Sequence, residues 1–413
     1  MRIDVKEELF CSRSSRLKGK KVLILCTGSV SLFKTPEIIR ELIREGADVH
    51  VMLSQNASKL VTSSVFEWAS GNKVIEDITG NVEHVLFAGE HSEKVDLVII
   101  VPLTATTLGK IIHGKADTNV SLTAMTAIGS KIPILVVPGM HRPMHENPFV
   151  QENIEQLKKL PTITYIEPRM EEGKAKVAEI HTIINWAIRL LSDQKLTGKS
   201  VLVTGGATKE YIDHVRYLTN PSTGKMGYAL ALEAFYLGAH VEFIVGGNNL
   251  SNLDLFNTTQ INSVEEMAKE VLRVIEKKNI DLAIFSAAVS DYTPEKFMDS
   301  KISSGQDDLS IKLKPTPKIL KIVREFKSKN QRENLIVVGF KAEYNKTAEE
   351  LATISRNYIT DGRANIMVAN LIGRKESGFG VDKSEVHIID QMGATRIKGT
   401  KQEIAFEILK KVL

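Results

Sequence analysis

The chain has 413 residues, 43% hydrophobic and 25% charged, with 54 basic against 50 acidic side chains for a net charge of +4. That length supports two or more separate cores, and so even a charge balance argues against a nucleic-acid surface while leaving anionic small molecules open. No apolar run reaches about 18 residues, the start MRIDVKEELFCSRSSR lacks a signal-peptide core, and Cys11 and Cys26 form neither a disulfide framework nor a metal-ligand spacing, so a reduced, cytoplasmic, membrane-free setting is expected.

After a polar N-terminal arm, LKGKKVLILCTGSVS (Leu17 to Ser31) reads as a strand and a Gly-Ser turn, followed by a helix from about Pro36 and the strand ADVHVML. This is the βαβ spacing of a doubly wound sheet. Lys94 to Thr118 then gives a buried strand, a hydroxyl-rich turn and a helix, and Lys131 to Ile154 a buried strand ending in a loop rich in Pro, Met and His. Ligands in open α/β sheets lie beyond the carboxyl ends of the strands, so both loops face one crevice. Thr104, Thr106 and Thr107 suit a phosphate or the polar edge of a flavin, or simply cap the helix that follows. His84, His91, His113, His141 and His145 all fall in this half. Among them His84 and His141 stand out, because an imidazole at a strand end can move a proton near pH 7 or hold a carboxylate.

The middle of the chain starts a sheet again. LTGKSVLVTGGATKE (Leu196 to Glu210) repeats the strand and turn, and EAFYLGAHVEFIV (Glu233 to Val245) echoes ELIREGADVHVML (Glu41 to Leu53), which places a boundary near residue 190. In Val201 to Phe235 a strand, the pair Gly205-Gly206, a polar excursion and a helix succeed one another, with Lys225 at the helix start. Glycines after a buried strand and the positive end of a helix together favour an anion. Asp281 to Ile302 again runs from strand to small-residue turn and carries Asp291 and Lys301, which suit a nucleotide or form a surface ion pair. NLIVVGFKAEY and ANIMVANLIG supply two more strands, and Asn365 and Asn370 are read as possible terminators of the last. Periodicity alone favours a dinucleotide-dependent reductase, but Gly205-Gly206-Ala207 is not GxGxxG and no acidic residue ends ADVHVML or AHVEFIV.

At these residues the chain resembles the bifunctional family of coenzyme A biosynthesis in which phosphopantothenoylcysteine decarboxylase is fused to phosphopantothenate–cysteine ligase. RYLTNPSTGKMGYALA (Arg216 to Ala231) is similar to that ligase's RYxxNxSSGKMGxALA, and SAAVSDY, Lys301, VGFKAEY, MVAN and GFGVD follow in family order. TGSVS, HVLFA, PLTATT and PGMHRPMHENP resemble the flavin-dependent cysteine decarboxylases, and the likeness runs from about Lys18 to Leu413. It implies an α/β chain of two doubly wound Rossmann-like domains: a flavodoxin-like flavoprotein of the cysteine decarboxylase type over residues 1–190 and a ligase domain over 191–413.

Two reactions are implied. In the second half CTP activates the carboxylate of 4'-phosphopantothenate as an acyl-cytidylate, which the cysteine amine then attacks, with Mg²⁺ expected on the phosphates. By matching position Asn220 holds the acyl intermediate, Arg216 supports that site, Lys225 and the Gly205-Gly206 turn lie close by, and Ala287, Asp291, Lys301, Pro317, Lys318, Ile319, Leu320 and Phe340 contact the nucleotide. In the first half FMN-dependent oxidation of the cysteinyl side chain gives a thioaldehyde that accepts the electrons left by departing CO₂, and the resulting enethiol is reduced again. His84 matches the catalytic histidine, with His91 as the alternative, and Ser29, Ser54 and the turn Thr104 to Thr107 match FMN contacts.

Three departures accompany the match. His141 stands where the family has an Asn that grips the substrate carboxylate, and EPRMEEGKAKVAE (Glu167 to Glu179) carries no clamp cysteine, which leaves Lys174 or Lys176 as acids. The lysines before the VAN strand are unmatched, with Arg356 or Arg363 as substitutes. The missing cysteine keeps open an active ligase with a degenerate flavin-binding half. A non-enzymatic flavoprotein subunit is the other alternative, and the intact RYLTNPSTGKMG argues against it. The resemblance also implies a homo-oligomer, with trimers of the first domain and dimers of the second building a dodecamer.

Overall fold

The computed structural model describes residues 5–171, 174–247, 250, 252–302, 308–344, 346–372 and 383–413. The chain divides into two compact units, Met1–Ser192 and Asp193–Leu413.

In the first unit β1 (Lys21–Cys26), β2 (Asp48–Leu53), β3 (Leu97–Leu103), β4 (Ile134–Pro138) and β5 (Ile163–Tyr165) form one parallel sheet in the order β2-β1-β3-β4-β5. Their Val, Ile and Leu runs are continuous rather than alternating because helices cover both faces. Leu23, Leu25, Val98, Ile100 and Val136 are buried against Leu108, Val120, Ala124 and Ile154 of those helices. The chain winds from β1 to β2 on one side and to β3 on the other, so the switch point lies between β1 and β3, the place where such sheets bind ligands. A hairpin of β6 (Arg169–Glu171) and β7 (Lys174–Lys176) follows. The N-terminal arm, read as merely polar, holds a helix (Val5–Leu9), and its Lys6 pairs with Asp48 at 2.7 Å.

In the second unit β8 (Ser200–Gly206), β9 (Lys209–Tyr211), β10 (Tyr217–Thr219), β11 (His240–Gly246), β12 (Asn257–Ile261), β13 (Leu282–Phe285), β14 (Tyr292–Pro294), β15 (Leu313–Pro315), β16 (Ile336–Tyr344), β17 (Ile366–Ile372), β18 (Lys383–Ile389) and β19 (Ala394–Thr400) appear in turn. The main sheet has the order β12-β11-β8-β13-β16-β17-β18-β19. It is parallel from β12 to β17, with β18 and β19 added antiparallel. The parallel part has the winding of a dinucleotide-binding fold, with its switch point between β8 and β13. The pairs β9–β10 and β14–β15 form two small antiparallel sheets, attached where β8 and β13 end.

The glycine pair is explained by packing as much as by anion chemistry. Gly206 has φ +76°, and a Cβ there would lie 1.9 Å from the carbonyl oxygen of Gly246. A Cβ on Gly227 would lie 2.7 Å from the Cα of Gly205, so the helix Lys225–Tyr236 rests directly on the end of β8. Among the described residues no helix is long and apolar enough to cross a membrane.

Candidate active sites

In the first unit the strand-end loops meet as the topology requires. A Cβ on Gly28, after β1, would lie 2.7 Å from the Cβ of Asn56, after β2, and one on Gly139, after β4, would lie 2.5 Å from Pro102 of β3. Buried Thr27 fastens two of these loops, donating from Oγ1 to the Pro102 carbonyl at 2.6 Å and accepting from the Thr104 amide at 3.1 Å. Around this crevice Ser29, Ser54 and Thr104 each sit at the N-cap of the segment that follows and accept a backbone N–H. Thr104 Oγ1 also meets Thr107 Oγ1 at 3.1 Å, whereas Thr106 is exposed. Capping and ligand contact are therefore compatible at this turn, because the Thr104 hydroxyl, accepting the Thr107 amide and donating its proton to Thr107 Oγ1, keeps a second acceptor site, and Thr107 keeps its own proton. The close approach of loops bearing hydroxyls, at the switch point of the sheet, fits the polar edge and phosphate of a flavin.

The two candidate histidines differ in kind. His91 is exposed, and its Nδ1 accepts the Glu93 amide at 3.0 Å. His84, in the short helix Glu83–Ala88, has its Nδ1 buried with no hydrogen-bond partner. An unpaired buried nitrogen costs roughly 1–3 kcal/mol, so His84 Nδ1 is a candidate for contact with a ligand. His141 is exposed at the N-cap of the helix Arg142–His145 and makes no capping bond. That helix lies against β7, so His141 and the Lys176 strand belong to one neighbourhood. Lys176 pairs with Glu171 at 3.1 Å, and the side chain of Lys174 lies outside the described residues. His145, by contrast, is buried between Gln151 and Tyr165, each at 3.4 Å, and is structural. Burial first, and then the carboxylates of Glu167 and Glu155, push the Tyr165 phenol far above its ordinary range.

The second unit holds a cavity of about 550 Å³ above the carboxyl ends of β8, β13, β16 and β17. Asn220, Lys225, Ala287, Asp291, Pro317, Lys318, Ile319, Leu320 and Phe340 all line it. Two expected residues do not: Arg216 and Lys301 are not among the lining residues, and Lys301 is exposed. Among the described residues the lining carries six cations, Lys225, Lys318, Lys321, Lys341, Arg363 and Lys401, against the single carboxylate of Asp291, with which Lys318 pairs. Such a wall concentrates anionic ligands. Burial alone would lower the Lys341 pKa, but contact with Glu343 at 3.1 Å outweighs it and the ammonium stays charged. Three helices begin at the cavity with Lys225, Ile319 and Lys401, adding their positive ends.

Asn220 follows β10 immediately, and its amide nitrogen donates to the carbonyls of Ala288 and Val289, both at 3.2 Å. With both protons used, the group it presents to a ligand is the acceptor Oδ1. Arg363 rather than Arg356 lines the cavity, lying 4.0 Å above the Tyr358 ring and paired with Asp361. Asn370 also lines the cavity, whereas Asn365 is structural, its Oδ1 accepting the Val337 amide at 2.8 Å. Ser384 and Lys401 carried no local signal, because β18 and the last helix bring them back from far along the chain. GFGVD lies outside the described residues. Among the described residues no group of three or more His, Cys, Asp or Glu side chains is gathered to hold a metal ion.

Arg216 is engaged elsewhere. Its guanidinium donates to Asp213 Oδ2 at 2.8 Å and to the Ile302 carbonyl at 3.0 Å. Asp213 is completely buried. Burial raises its pKa, but amides of Ile302, Val215 and Arg216 and the Arg216 side chain outweigh this and hold it at about 2. Because the folded value lies below an unfolded value of about 3.9, the carboxylate stabilises the fold fully above pH 4 and loses that contribution as pH falls toward 2. Asp213→Asn is therefore expected to lower the urea midpoint at pH 7, with the gap from the unsubstituted chain narrowing between pH 4 and pH 2.5. A gap independent of pH would contradict the assignment.

Residues 196–413 match the family described as DNA/pantothenate metabolism flavoprotein C-terminal domain, and residues 11–192 match the flavoprotein family. The coenzyme A biosynthesis bifunctional protein CoaBC of Thermococcus kodakarensis is 42% identical over 96% of this chain and 96% of its own length. The protein of the same name from Methanocaldococcus jannaschii is 37% identical over 97% and 95% respectively. A crystal structure of the C-terminal domain of a coenzyme A biosynthesis bifunctional protein CoaBC covers 53% of this chain and 96% of its own, at 34% identity and a TM-score of 0.43. With a cation-walled cavity in one unit, a hydroxyl-lined switch point in the other, and sequence identity running through both, the chain belongs to the family of bifunctional coenzyme A biosynthesis proteins.

Proposed function

We propose that this chain joins 4'-phosphopantothenate to cysteine at the expense of CTP in residues 191–413 and decarboxylates the product, phosphopantothenoylcysteine, to 4'-phosphopantetheine in residues 1–190. The observation that carries the reading is the cavity of the second unit, whose six cations face one carboxylate beside a fixed Asn220. Both phosphorylated substrates are polyanions, and the first step brings one anion to another. A carboxylate oxygen attacks the α-phosphorus, pyrophosphate leaves, and the cysteine amine then displaces CMP from the acyl carbon. Without neutralisation the first approach is repulsive, so Lys225, Lys318, Lys321 and Arg363 hold the phosphates while the Asn220 Oδ1 accepts a proton-bearing group of the acyl partner. Ala287, the segment Pro317 to Leu320 and Phe340 supply the apolar and backbone wall for the nucleoside. Mg²⁺ enters with the triphosphate as part of the substrate.

In the first unit Ser29, Ser54, Thr104 and Thr107 hold FMN at the switch point. When bound, FMN supplies the two-electron chemistry that turns the cysteinyl side chain into an electron sink beta to the departing carboxylate. His84, with its vacant buried Nδ1, takes and returns a proton. His141 replaces a neutral amide with an imidazole that can bind a carboxylate as a cation. Lys176 or Lys174, on the hairpin lying against the His141 helix, donates the proton that a clamp cysteine would supply. The test is pyrophosphate release from purified protein with each of CTP, 4'-phosphopantothenate and cysteine omitted in turn. Sustained release should require all three, and release independent of cysteine would exclude the ligase.

Exposed Val30, Phe33 and Phe149, from segments flanking the strand-end loops of the first unit, support assembly through that face. The assembly proposed is a homo-oligomer with trimers of the first unit and dimers of the second. Light scattering should give a mass several-fold above 45.8 kDa, and a monomer would overturn it.

A further inference from the structure

We infer that Asp213 is a positioning residue of the ligase site, acting through Arg216 to set Asn220. The inference rests on the ligase reading above. Asp213 lies in the turn between β9 and β10, and its Oδ1 accepts the amides of Val215 and Arg216, both at 2.7 Å, which shapes that turn. Its Oδ2 accepts the Arg216 guanidinium at 2.8 Å and the Ile302 amide at 3.1 Å. The second bond crosses 89 positions of sequence. Arg216 closes the same knot by donating to the Ile302 carbonyl, and the Met298 amide donates to the Ile212 carbonyl at 2.9 Å. One buried carboxylate thus ties the segment ending in Lys301-Ile302 to the turn that feeds β10.

From that turn the path to chemistry is short. Arg216 accepts the Ile212 amide through its carbonyl at 2.9 Å, three residues of β10 follow, and Thr219 Oγ1 donates to the Thr208 carbonyl at 2.7 Å to pin the strand. The next residue is Asn220. Arg216, matched to the family site, therefore serves it without lining the cavity, through the Nη1 that it places on both Asp213 and Ile302. A buried charge is costly to retain for stability alone, since a well-packed apolar group often serves as well. A fixed geometry at an acyl-transfer site gives it a reason to persist, because a displacement of about 1 Å can cost about 100-fold in rate.

The experiment is steady-state ligation by the full chain carrying Asp213→Asn, which puts an NH₂ or a weaker acceptor against donors on both oxygens. Turnover with saturating cysteine is expected to fall about 100-fold, while KM for CTP changes less than about threefold, because Pro317 to Leu320 and Phe340 stand on other elements. Should Asp213→Asn prove unfolded at the assay temperature, Arg216→Lys decides. It leaves the backbone bonds to Asp213, but its ammonium ends one bond short of the Arg216 Nη1 that donates to both Asp213 Oδ2 and the Ile302 carbonyl, and the same split is expected. Unchanged turnover in a folded variant overturns the inference, as does a rise in KM at constant turnover. If the unsubstituted chain itself shows no cysteine-dependent pyrophosphate release, the ligase reading fails first and takes the inference with it. If that chain ligates and both variants match it, only the inference fails.

Discussion

Asn220→Ala is expected to lower cysteine-dependent pyrophosphate release about 100- to 1,000-fold, the range seen when one preorganised polar contact to a reacting acyl group is removed. The size of the effect follows from how the amide is held. Its nitrogen is committed to the carbonyls of Ala288 and Val289 at 3.2 Å, so Oδ1 is aimed rather than mobile and no ordering cost remains when the acyl intermediate forms. Truncation removes Oδ1 and also leaves two carbonyls of the small-residue turn without their donor, which loosens the wall that carries Ala287 and Asp291. Decarboxylation of added phosphopantothenoylcysteine should be unaffected, since it occurs in the other unit. Unchanged cysteine-dependent release would contradict the ligase assignment.

His84→Ala is expected to lower CO₂ release from phosphopantothenoylcysteine by about 10²- to 10⁴-fold, the usual contribution of a positioned acid–base group. The flavin absorbance of the purified protein should remain. The same substitution should cost little stability, because the buried Nδ1 has no partner to lose and removing an unsatisfied polar atom relieves a penalty. This separates His84 from its neighbour in sequence. His91 is exposed with its Nδ1 on the Glu93 amide, so His91→Ala should decarboxylate at the unsubstituted rate. The reverse pattern, with His91 essential and His84 dispensable, would reassign the proton transfer.

The parallel strands were legible because burial on both faces demands uninterrupted Val, Ile and Leu, as in LVIIVPL and ILVVP. The echo of ELIREGADVHVML in EAFYLGAHVEFIV likewise announced a second sheet, since a helix, a Gly turn and a buried strand recur with the same spacing. Strands β18 and β19 were harder to see. Strand β18 does alternate in KSEVHII, but β19, reading ATRIKGT, is mostly exposed and polar, and what holds it is pairing to β18 rather than any local preference. The hairpin in EPRMEEGKAKVAE was hidden for the same reason.

For the sites, several residues inside a recognisable local motif, Ala287, Asp291 and Phe340 among them, line the cavity although the sheet gathers them from separate stretches, whereas residues outside such motifs gave no signal. Asn220 and the segment Pro317 to Leu320 sit in the cavity as motif matching implied, whereas Lys341, Tyr358, Ser384 and Lys401 reach it only through β16, β18 and two helices. Lys341 stands beside Phe340 in VGFKAEY, and one lysine two positions before an acidic residue in a strand reads as an ordinary ion pair. Asp213 was overlooked although it stands three residues before Arg216: one acidic residue in a polar turn carries no pattern until its partners at Ile302 are known.

The central claim, that one chain performs both reactions in succession, is tested most directly by supplying the FMN-loaded protein with CTP, 4'-phosphopantothenate and cysteine labelled at its carboxyl carbon. Labelled CO₂ should appear after a lag and accumulate in proportion to pyrophosphate, approaching one for one. Pyrophosphate released without labelled CO₂ from flavin-loaded protein would contradict the account and leave a ligase joined to an inactive flavin-binding half.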